Sequence, residues 1–401
     1  MIRQLKYLVS ILLFAAVCPG WAEAQNKYTV SGFIKDAESG ENLLGANVYI
    51  KELLKGTTTN QYGFFSITVE EGQYHLVVSY LGYEDITEAI DLTKNIRYNK
   101  SMASATITTD EVVIEGERSD KNVESTQMGK IDLEMAQIKS LPAFMGEIDV
   151  LKTIQLLPGV QSAGEGNSGF YVRGGGPNQN LVLLDEAVVY NVAHLFGFFS
   201  VFNADAIKSV ELTKGGMPAN YGGRLASVLD ITMKDGNRKK FEVDGGIGII
   251  SSRLTVQGPI KKNASSFIVS GRRTYIDLLL NPFIKNTAFA GTGYFFYDLT
   301  AKINYDISDD DKLYLSGYFG RDVFSFAQGE NGFKAKIPWG NATSSLRWNH
   351  LINEKMFVNT SLIFSDYDFS FGITQSEFEL VLFSGVRDFN TKVDFHYYPS
   401  V

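Results

Sequence analysis

Few side chains in this sequence have the types and spacing that catalysis or metal binding requires. The four histidines are His75, His194, His350 and His396. No two of them have the spacing of zinc ligands. The run Gly174-Gly175-Gly176 is followed by Pro177, and not by the Lys-Ser/Thr pair and helix start that a phosphate-binding loop needs. We therefore predict no catalytic residue, no metal site, no cofactor and no enzymatic activity.

Composition indicates an ordered β protein. Hydrophobic residues make up 44% of the 401 residues and charged residues 20%, and there are 28 Phe, 20 Tyr and 38 Gly. Many aromatics and glycines with few helix signals favour extended structure. The net charge of −8 and the lack of a basic stripe argue against a nucleic-acid partner.

The N-terminus predicts export. Arg3 and Lys6 precede the apolar run YLVSILLFAAV, which suits a signal peptide and is too short to span a bilayer. Ala22-Glu23-Ala24 offers small residues at cleavage spacing, so we predict a signal peptide at 1–24. The alternative is lipidation of Cys18, the only cysteine. Without Cys18 the mature chain has neither disulfides nor thiolate sites.

Residues 27–102 have turn signals every eight to twelve residues, which predicts a small β-sandwich. Its candidate core residues are Phe33, Ile34, Val48, Ile50, Phe65, Ile67, Leu76 and Val78.

Residues 103–128 are rich in Ser, Thr, Asp and Glu, which predicts a linker. It contains one short apolar-acidic patch, formed by Asp110, Glu111, Val112, Val113 and Ile114. This patch is either a stray strand of the sandwich or an extended peptide that adds to a partner's sheet edge.

Residues 129–236 mix helical turns, broken by Pro142 and Pro158, with short strands. The stretch ELTKGGMPANYGGRLASVLDITMKDG ends this block with two predicted strands around doubled glycines. We predict one compact α+β domain of roughly a hundred residues, a common domain size.

Residues 241–401 contain long runs of alternating apolar and polar residues, which predict about eight strands. The predicted turns KKNA, DISDDD and NE are short, and the segments after Leu280, Phe326 and Phe371 are predicted to be longer. Such alternation is typical of a transmembrane β-barrel wall, and a large soluble β protein is the alternative.

Two segments form one recognisable pattern, namely FYVRGGGPNQNLVLLDEAVVYN and AIKSVELTKGGMPANYGGRLASVLDITMKDG. Together they resemble the plug domain of TonB-dependent outer-membrane receptors. The matching elements are Val172 to Gly174, Leu181 to Asp185, Ile207 to Gly215, Tyr221 to Gly223 and Val228 to Thr232. The anchor and turn residues that this implies for the plug are Arg173, Gly174, Gly175, Asp185, Lys214, Gly215, Tyr221, Gly222 and Gly223. Residues 27–102 resemble the carboxypeptidase-regulatory-like domain that precedes many plugs of the Bacteroidetes type.

The resemblance implies a mainly β protein. The expected parts are an N-terminal β-sandwich, an α+β plug and the first eight or so strands of a large antiparallel transmembrane β-barrel. Barrels of this family have about 22 strands, and an eight-stranded barrel has no room for such a plug. We therefore expect the 401 residues to be an N-terminal piece.

The resemblance also implies a function. The protein is expected in the outer membrane, with the sandwich in the periplasm, where it imports a siderophore, vitamin, glycan or peptide. Asp110 to Ile114 match the TonB box in position and style, so TonB and its inner-membrane energising complex are the expected partners. Substrate, outer-membrane lipid and a surface lipoprotein are further implied partners. A secreted β-rich adhesion protein that binds glycans is the rival interpretation.

The resemblance leaves alternatives open at two positions. Arg173 is expected to be a buried ion-pair or hydrogen-bond anchor of the plug. The two roles left open for it are holding the plug sheet together and contacting the substrate. Glu186-Ala187 stands where the family usually has Gly and a small apolar residue, so a different turn is expected there.

Overall fold

The computed structural model describes residues 26–105, 129–140, 147–162, 164, 169–328 and 332–399. The predicted signal peptide at 1–24 and the predicted TonB box at 110–114 lie outside these ranges. No helix within the described ranges is long and apolar enough to cross a membrane.

The first unit, here called the sandwich, comprises residues 27–105. Its strands are β1 (Lys27–Asp36), β2 (Asn47–Ile50), β3 (Lys55–Thr58), β4 (Phe64–Glu70), β5 (Gly72–Ser79), β6 (Ile86–Leu92), β7 (Ile96–Arg97) and β8 (Lys100–Met102). One sheet has the order β4-β1-β7, with β8 also paired to β1, and the other has the order β3-β2-β5-β6. The predicted sandwich is therefore confirmed, and all eight predicted core residues are buried.

The turn before β4 shows how the local sequence sets this fold. The side-chain oxygen of Asn60 accepts hydrogen bonds from the amides of Tyr62 (2.9 Å) and Phe64 (3.0 Å), which closes an Asx turn. Gly63 has a φ of +75° and lies against Asn42, so a side chain there would be strained and would clash.

The second unit, residues 129–236, is called the plug. Its elements are β9 (Lys130–Glu134), α1 (Met135–Ser140), α2 (Val150–Ile154), β10 (Val160–Ser162), β11 (Phe170–Val172), β12 (Asn180–Leu184), β13 (Ala187–Val188), β14 (Ala193–His194), β15 (Phe199–Ser200), β16 (Ile207–Lys214) and β17 (Ser227–Met233), with 3-10 turns at Pro177–Gln179 and Leu195–Gly197. Five strands form one sheet in the order β13-β12-β17-β16-β9, in which only β12 and β17 pair in parallel among the described strands.

Apolar side chains of α2 and the central strands form the plug core. Its fully buried members include Val150, Leu151, Ile154, Val210, Leu212, Leu229 and Ile231. Burying one such side chain stabilises the fold by about 1.5–3 kcal/mol. Asp149 caps α2 by accepting from the amides of Leu151 and Lys152, and its second oxygen accepts from the amide of Ser200 at 2.8 Å. The helix start is thereby tied to β15.

The third unit, called the wall, is one antiparallel sheet. Its strands are β18 (Glu242–Ile247), β19 (Ser251–Lys261), β20 (Ser265–Thr274), β21 (Gly293–Asp306), β22 (Asp311–Ala327), β23 (Lys334–Asn353), β24 (Met356–Gln375) and β25 (Phe378–Tyr397), and α3 (Ile276–Ile284) lies between β20 and β21. Each strand pairs with the next in the chain, so the predicted eight strands are confirmed.

The wall has polar residues on its covered face and apolar residues on its open face. In β21, Thr300, Lys302 and Asn304 are buried, whereas the alternating Leu299 and Ile303 are 49% and 43% exposed. This reverses the arrangement of a soluble sheet and is typical of a barrel whose outer face meets lipid. The alternative of a soluble β protein is therefore set aside.

One predicted connection is wrong. We expected a long segment after Phe371, but β24 continues to Gln375 and a turn of only Ser376 and Glu377 leads into β25. The backbone pairing of Gly372 with Val381 carries the strand beyond the point where side-chain alternation fades. The hydrogen bonds between strands involve only backbone groups and need no particular side chain. The strand therefore continues beyond the last residue of the apolar-polar alternation.

Candidate functional site: the plug and its contacts with the wall

Arg173 is exposed, so the expectation that it is a buried anchor is wrong. The neighbouring Val172 is 1% exposed and takes the inward position of β11, and alternation along the strand turns the next side chain outward. Arg173 and Gly174 both have positive φ, and the Arg173 amide donates to the carbonyl of Gly159 at 3.1 Å. A Cβ atom on Gly175 would lie 2.3 Å from that of Ala226, so this turn packs closely.

Lys214 and Gly215 connect the strands of the plug. The Lys214 ammonium donates to the Pro158 carbonyl at 2.6 Å, and the Lys214 backbone amide donates to the Gly129 carbonyl at 2.8 Å. Gly215 has a φ of +71°, and a Cβ atom there would lie 2.9 Å from the Arg173 guanidinium. The fold thus brings two of the predicted segments together at one end of the plug.

Tyr221 binds to the strand that follows it. Its hydroxyl donates to Asp230 at 2.9 Å, while Gly222 and Gly223 are exposed in the turn and Gly223 has a φ of +79°. Burial, together with the nearby Glu211 carboxylate, raises the pKa of Asp230 to about 6. These contacts are all within the plug, and they explain its shape better than they explain substrate binding.

Asp185 lies at the opposite end of β12, in a two-residue hairpin turn with Glu186. Both residues have positive φ, of +45° and +74°, as a type I′ turn requires. A left-handed non-glycine residue costs about 1–3 kcal/mol, and both Asp185 and Glu186 adopt this conformation. The turn at Glu186-Ala187, where we expect a difference, therefore contains a backbone-strained Glu186, whose conformation is held by contacts of its side chain.

Those contacts join Glu186 to the wall. One carboxylate oxygen accepts from the Asn359 amide at 3.0 Å, and the other accepts from the Ser361 hydroxyl. Lys392 lies 3.8 Å away. A glycine here could not make these contacts, so Glu186 adds a link between the plug and β24.

Lys302 on β21 is the best-connected wall residue against the plug. Its ammonium lies 3.1 Å from Asp185 and 2.9 Å from Asp235, and it donates to the Met233 carbonyl at 2.9 Å. All three side chains are buried. The anchor we expected on the plug at Arg173 is thus a wall lysine between two plug carboxylates, and Asp185 is the predicted residue that takes part.

Sequence reasoning missed Lys302, although a weak signal existed. It occupies an inward position in an alternating strand, between Thr300 and Asn304, where a charged side chain must find a partner. Which partner it finds depends on how the wall curves around the plug.

A second buried cluster surrounds His194 on β14. Its Nδ1 atom lies 2.7 Å from Asp322 and its Nε2 atom 3.2 Å from Asp298, both on wall strands. Arg272 pairs with Asp298 at 2.7 Å and with Glu147 of the plug at 3.4 Å. The imidazole also stacks on Phe296 with ring centroids 4.0 Å apart. His194 of the plug and Arg272 of the wall therefore both contact Asp298, and all three side chains are buried.

We predict that this cluster makes the stability of the contact between the plug and the wall depend on pH. Burial by itself lowers the pKa of His194, but the carboxylates of Asp322 and Asp298 raise it above its ordinary value of 6.5. The stabilisation is therefore complete below that value and is lost as pH rises through the raised pKa. Melting of the purified receptor should thus occur at lower temperature at about pH 8 than at about pH 6.

His194→Gln is the control, because it keeps a hydrogen-bonding side chain without a titratable proton. Its melting temperature should change less with pH across the same window. The variant leaves unaltered the other groups at the site, namely Tyr294, which donates to Asp322, Tyr318, whose hydroxyl lies 3.5 Å from His194 Nε2, and Arg272. An equal pH slope in the variant would show that another group is responsible.

An open cavity of about 350 Å³ lies beside the Gly-Gly-Gly-Pro turn. Its lining includes Phe170, Asn178, Asn180, Tyr190, Asn191 and Arg224. The side chains of Asn178 and Arg224 can offer hydrogen bonds to a polar molecule here, whereas the Asn180 amide already bonds to the Phe170 carbonyl and the Ser227 hydroxyl. Within the described ranges, no three His, Cys, Asp or Glu side chains are grouped to hold a metal ion.

Comparison with known proteins agrees with this architecture. Residues 30–114 match the CarboxypepD_reg-like domain, and residues 105–228 match the TonB-dependent Receptor Plug Domain. TonB-dependent receptor P39 of Formosa agariphila is 29% identical over 240 residues, which are 57% of this chain and 21% of the relative. TonB-dependent receptor SusC of Bacteroides thetaiotaomicron is 26% identical over 247 residues, 57% of this chain and 23% of that relative.

The chain spans about a fifth of the length of these curated relatives. Among solved structures, the outer membrane transporter YddB from Escherichia coli matches with a TM-score of 0.48 at 12% identity, over 67% of this chain and 45% of that one.

A wall with a polar inner face and an apolar outer face, packed against a plug, defines the class of plugged outer-membrane β-barrel proteins. Within that class, the chain contains a CarboxypepD_reg-like domain followed by a TonB-dependent receptor plug domain, and it is similar over 57% of its length to TonB-dependent receptors. It is accordingly a protein of the outer membrane.

Proposed function

We propose that the protein imports a scarce, large substrate across the outer membrane, with energy delivered through TonB. The observation that supports this most is the polar character of the contacts between the plug and the wall. Hydrogen bonds and ion pairs join it to the wall at Asp185, Glu186 and His194, and their wall partners lie on β21, β22 and β24. Polar contacts of this kind can be exchanged for water as the plug moves, whereas a continuous apolar interface would resist movement.

The proposed division of the chain follows from the sequence patterns. A signal peptide at 1–24 is removed, the sandwich at 27–102 lies in the periplasm, and the linker at 103–128 carries the TonB box. The plug at 129–236 obstructs the barrel that begins at 241. The apolar outer side chains of the wall, such as Leu299 and Ile303, contact outer-membrane lipid in this arrangement.

We propose a three-step mechanism. Substrate binds at the outer end of the plug, where the cavity beside the Gly-Gly-Gly-Pro turn offers amide groups. The box at Asp110 to Ile114 then becomes available in the periplasm. TonB pairs with it by strand addition and transmits the force that displaces the plug. The plug residues Arg173, Gly174, Lys214, Gly215 and Tyr221 maintain its compact shape during this movement. A surface lipoprotein partner stays a prediction from the resemblance.

Whole-cell uptake of several candidate substrates tests this function. Cells that express the receptor would be offered, separately, a ferric siderophore, cobalamin, an oligosaccharide and an oligopeptide, each labelled. We expect one class to accumulate, and accumulation to cease in a host that lacks TonB. Accumulation that is unchanged without TonB would contradict the proposal.

A further inference from the structure

The sandwich packs against both of the other units. It lies at the end of the wall that carries the short turns 262–264, 307–310 and 354–355, here called the rim. At the same end, the plug passes into the wall through Asp235, Gly236 and Arg238, here called the plug exit. The sandwich therefore covers the place where the plug and the wall are joined.

Aromatic side chains dominate its contact with the rim. Phe64 and Tyr62 of the sandwich lie against Phe357 of the wall, with ring centroids 5.8 Å and 5.1 Å apart, and Tyr398 lies 5.6 Å from Phe64. With Phe33 and Leu351 they form a cluster separate from the sandwich core. A soluble domain that evolved to stand alone would rarely turn such aromatics outward, since contiguous exposed apolar patches mark binding surfaces.

Hydrogen bonds around this cluster set the orientation of the sandwich. The Ser66 hydroxyl donates to the Glu354 carbonyl at 2.7 Å, and the Asn60 amide donates to the Tyr398 hydroxyl at 3.3 Å. Arg97 pairs with Asp310 in another rim turn.

The plug exit is held by a different set of sandwich residues. Glu41 pairs with Lys208 of the plug at 3.1 Å and accepts from the Asp235 amide at 3.0 Å. The Arg238 amide donates to the Ser39 carbonyl at 2.7 Å. Asp235 also pairs with Lys302 of the wall, so the sandwich and the wall both bind the plug exit.

We propose that the sandwich is a periplasmic latch, which is docked on the rim and the plug exit at rest and must leave before the plug can move. This inference rests on the proposed import function. The order of the chain supports it, because residues 106–128, with the predicted TonB box, connect the sandwich to the plug. A pull on that connection acts on the latch from one side and on the plug from the other.

Disulfide cross-linking in intact outer membranes tests the latch. Ser66→Cys combined with Glu354→Cys places two thiols where the side chain of one residue already touches the backbone of the other. Cys18 is the only cysteine in these 401 residues, and it lies in the predicted signal peptide, so it does not compete. We expect the pair to form a disulfide in resting cells, to stop uptake when oxidised, and to recover uptake after reduction.

Two matched pairs serve as controls. Thr29→Cys with Thr68→Cys joins adjacent strands inside the sandwich, where the two hydroxyls are 2.8 Å apart, and should cross-link without stopping uptake. Ser66→Cys with Ser376→Cys should not cross-link, because Ser376 follows the far end of β24.

Charge reversal gives a second, independent measure of docking. Glu41→Lys and Lys208→Glu should each lower the ratio of docked to undocked sandwich by about tenfold, and the cross-linking yield of the 66–354 pair should fall accordingly. The double exchange should restore the yield. Restoration would exclude misfolding as the cause.

The possible outcomes separate the latch from the import function. No cross-link in the 66–354 pair would show that the sandwich does not dock there. A complete cross-link with normal uptake would show that docking does not restrain the plug. If the reduced receptor itself fails to import, then the import function is at fault and the docking result still stands.

Discussion

Lys302→Met is expected to loosen the plug by about 3–5 kcal/mol, the usual cost of removing one partner from a buried ion pair. The variant leaves the carboxylates of Asp185 and Asp235 buried without their shared cation. It also removes the donor to the Met233 carbonyl. The side chain of methionine has nearly the same length, so the effect reports the lost charge more than a lost volume. Cells with this variant should admit a bulky antibiotic that the intact outer membrane excludes.

Arg321→Met is the matched control for that experiment. Arg321 pairs with Asp368 at 2.8 Å, but both residues are on wall strands and their side chains are 30% and 33% exposed. Partly exposed ion pairs of this kind contribute about 0–1 kcal/mol. If both variants leave the membrane equally tight, the Lys302 cluster does not hold the plug in place.

Val113→Pro is expected to abolish uptake while leaving surface binding of substrate intact. Strand addition at the predicted TonB box requires backbone donors, and proline has none. Val113 lies outside the described residues, so this expectation rests on the β-prone patch Val112-Val113-Ile114 within an otherwise polar linker. Uptake of the labelled substrate that accumulates in the whole-cell assay, compared with its binding to energy-depleted cells, measures the two steps separately.

Ser119→Pro is the control for Val113→Pro, because it introduces the same residue into the same linker outside the apolar patch. It should leave both binding and uptake unchanged. Normal uptake by Val113→Pro would refute the box, and loss of uptake in both variants would point to the linker as a whole.

The architecture was largely predictable because it depends on patterns that are local in the chain. Alternation along the wall runs indicated eight strands, and the structure has eight. The eight apolar residues assigned to the sandwich core are all buried, since strands with period two and regular turns leave few ways to pack. Phe33 shows the limit of this reasoning, because it is buried against the rim and lies outside the main core cluster.

The contacts of the plug were not predictable in the same way. The sequence alone determined three consecutive units, the turns between their strands, and the resemblance to a plug, because these follow from neighbouring residues. Only the tertiary structure decided that Lys302 meets Asp185 and Asp235, that His194 meets Asp298 and Asp322, and that Arg173 is exposed. His194, for example, lies 104 positions from Asp298 and 128 positions from Asp322 in the chain. The geometry of such pairs depends on the curvature of the wall around the plug. Periodicity specifies which side of a strand a charged residue occupies, but a buried charge takes its partner from whichever element the fold brings opposite to it.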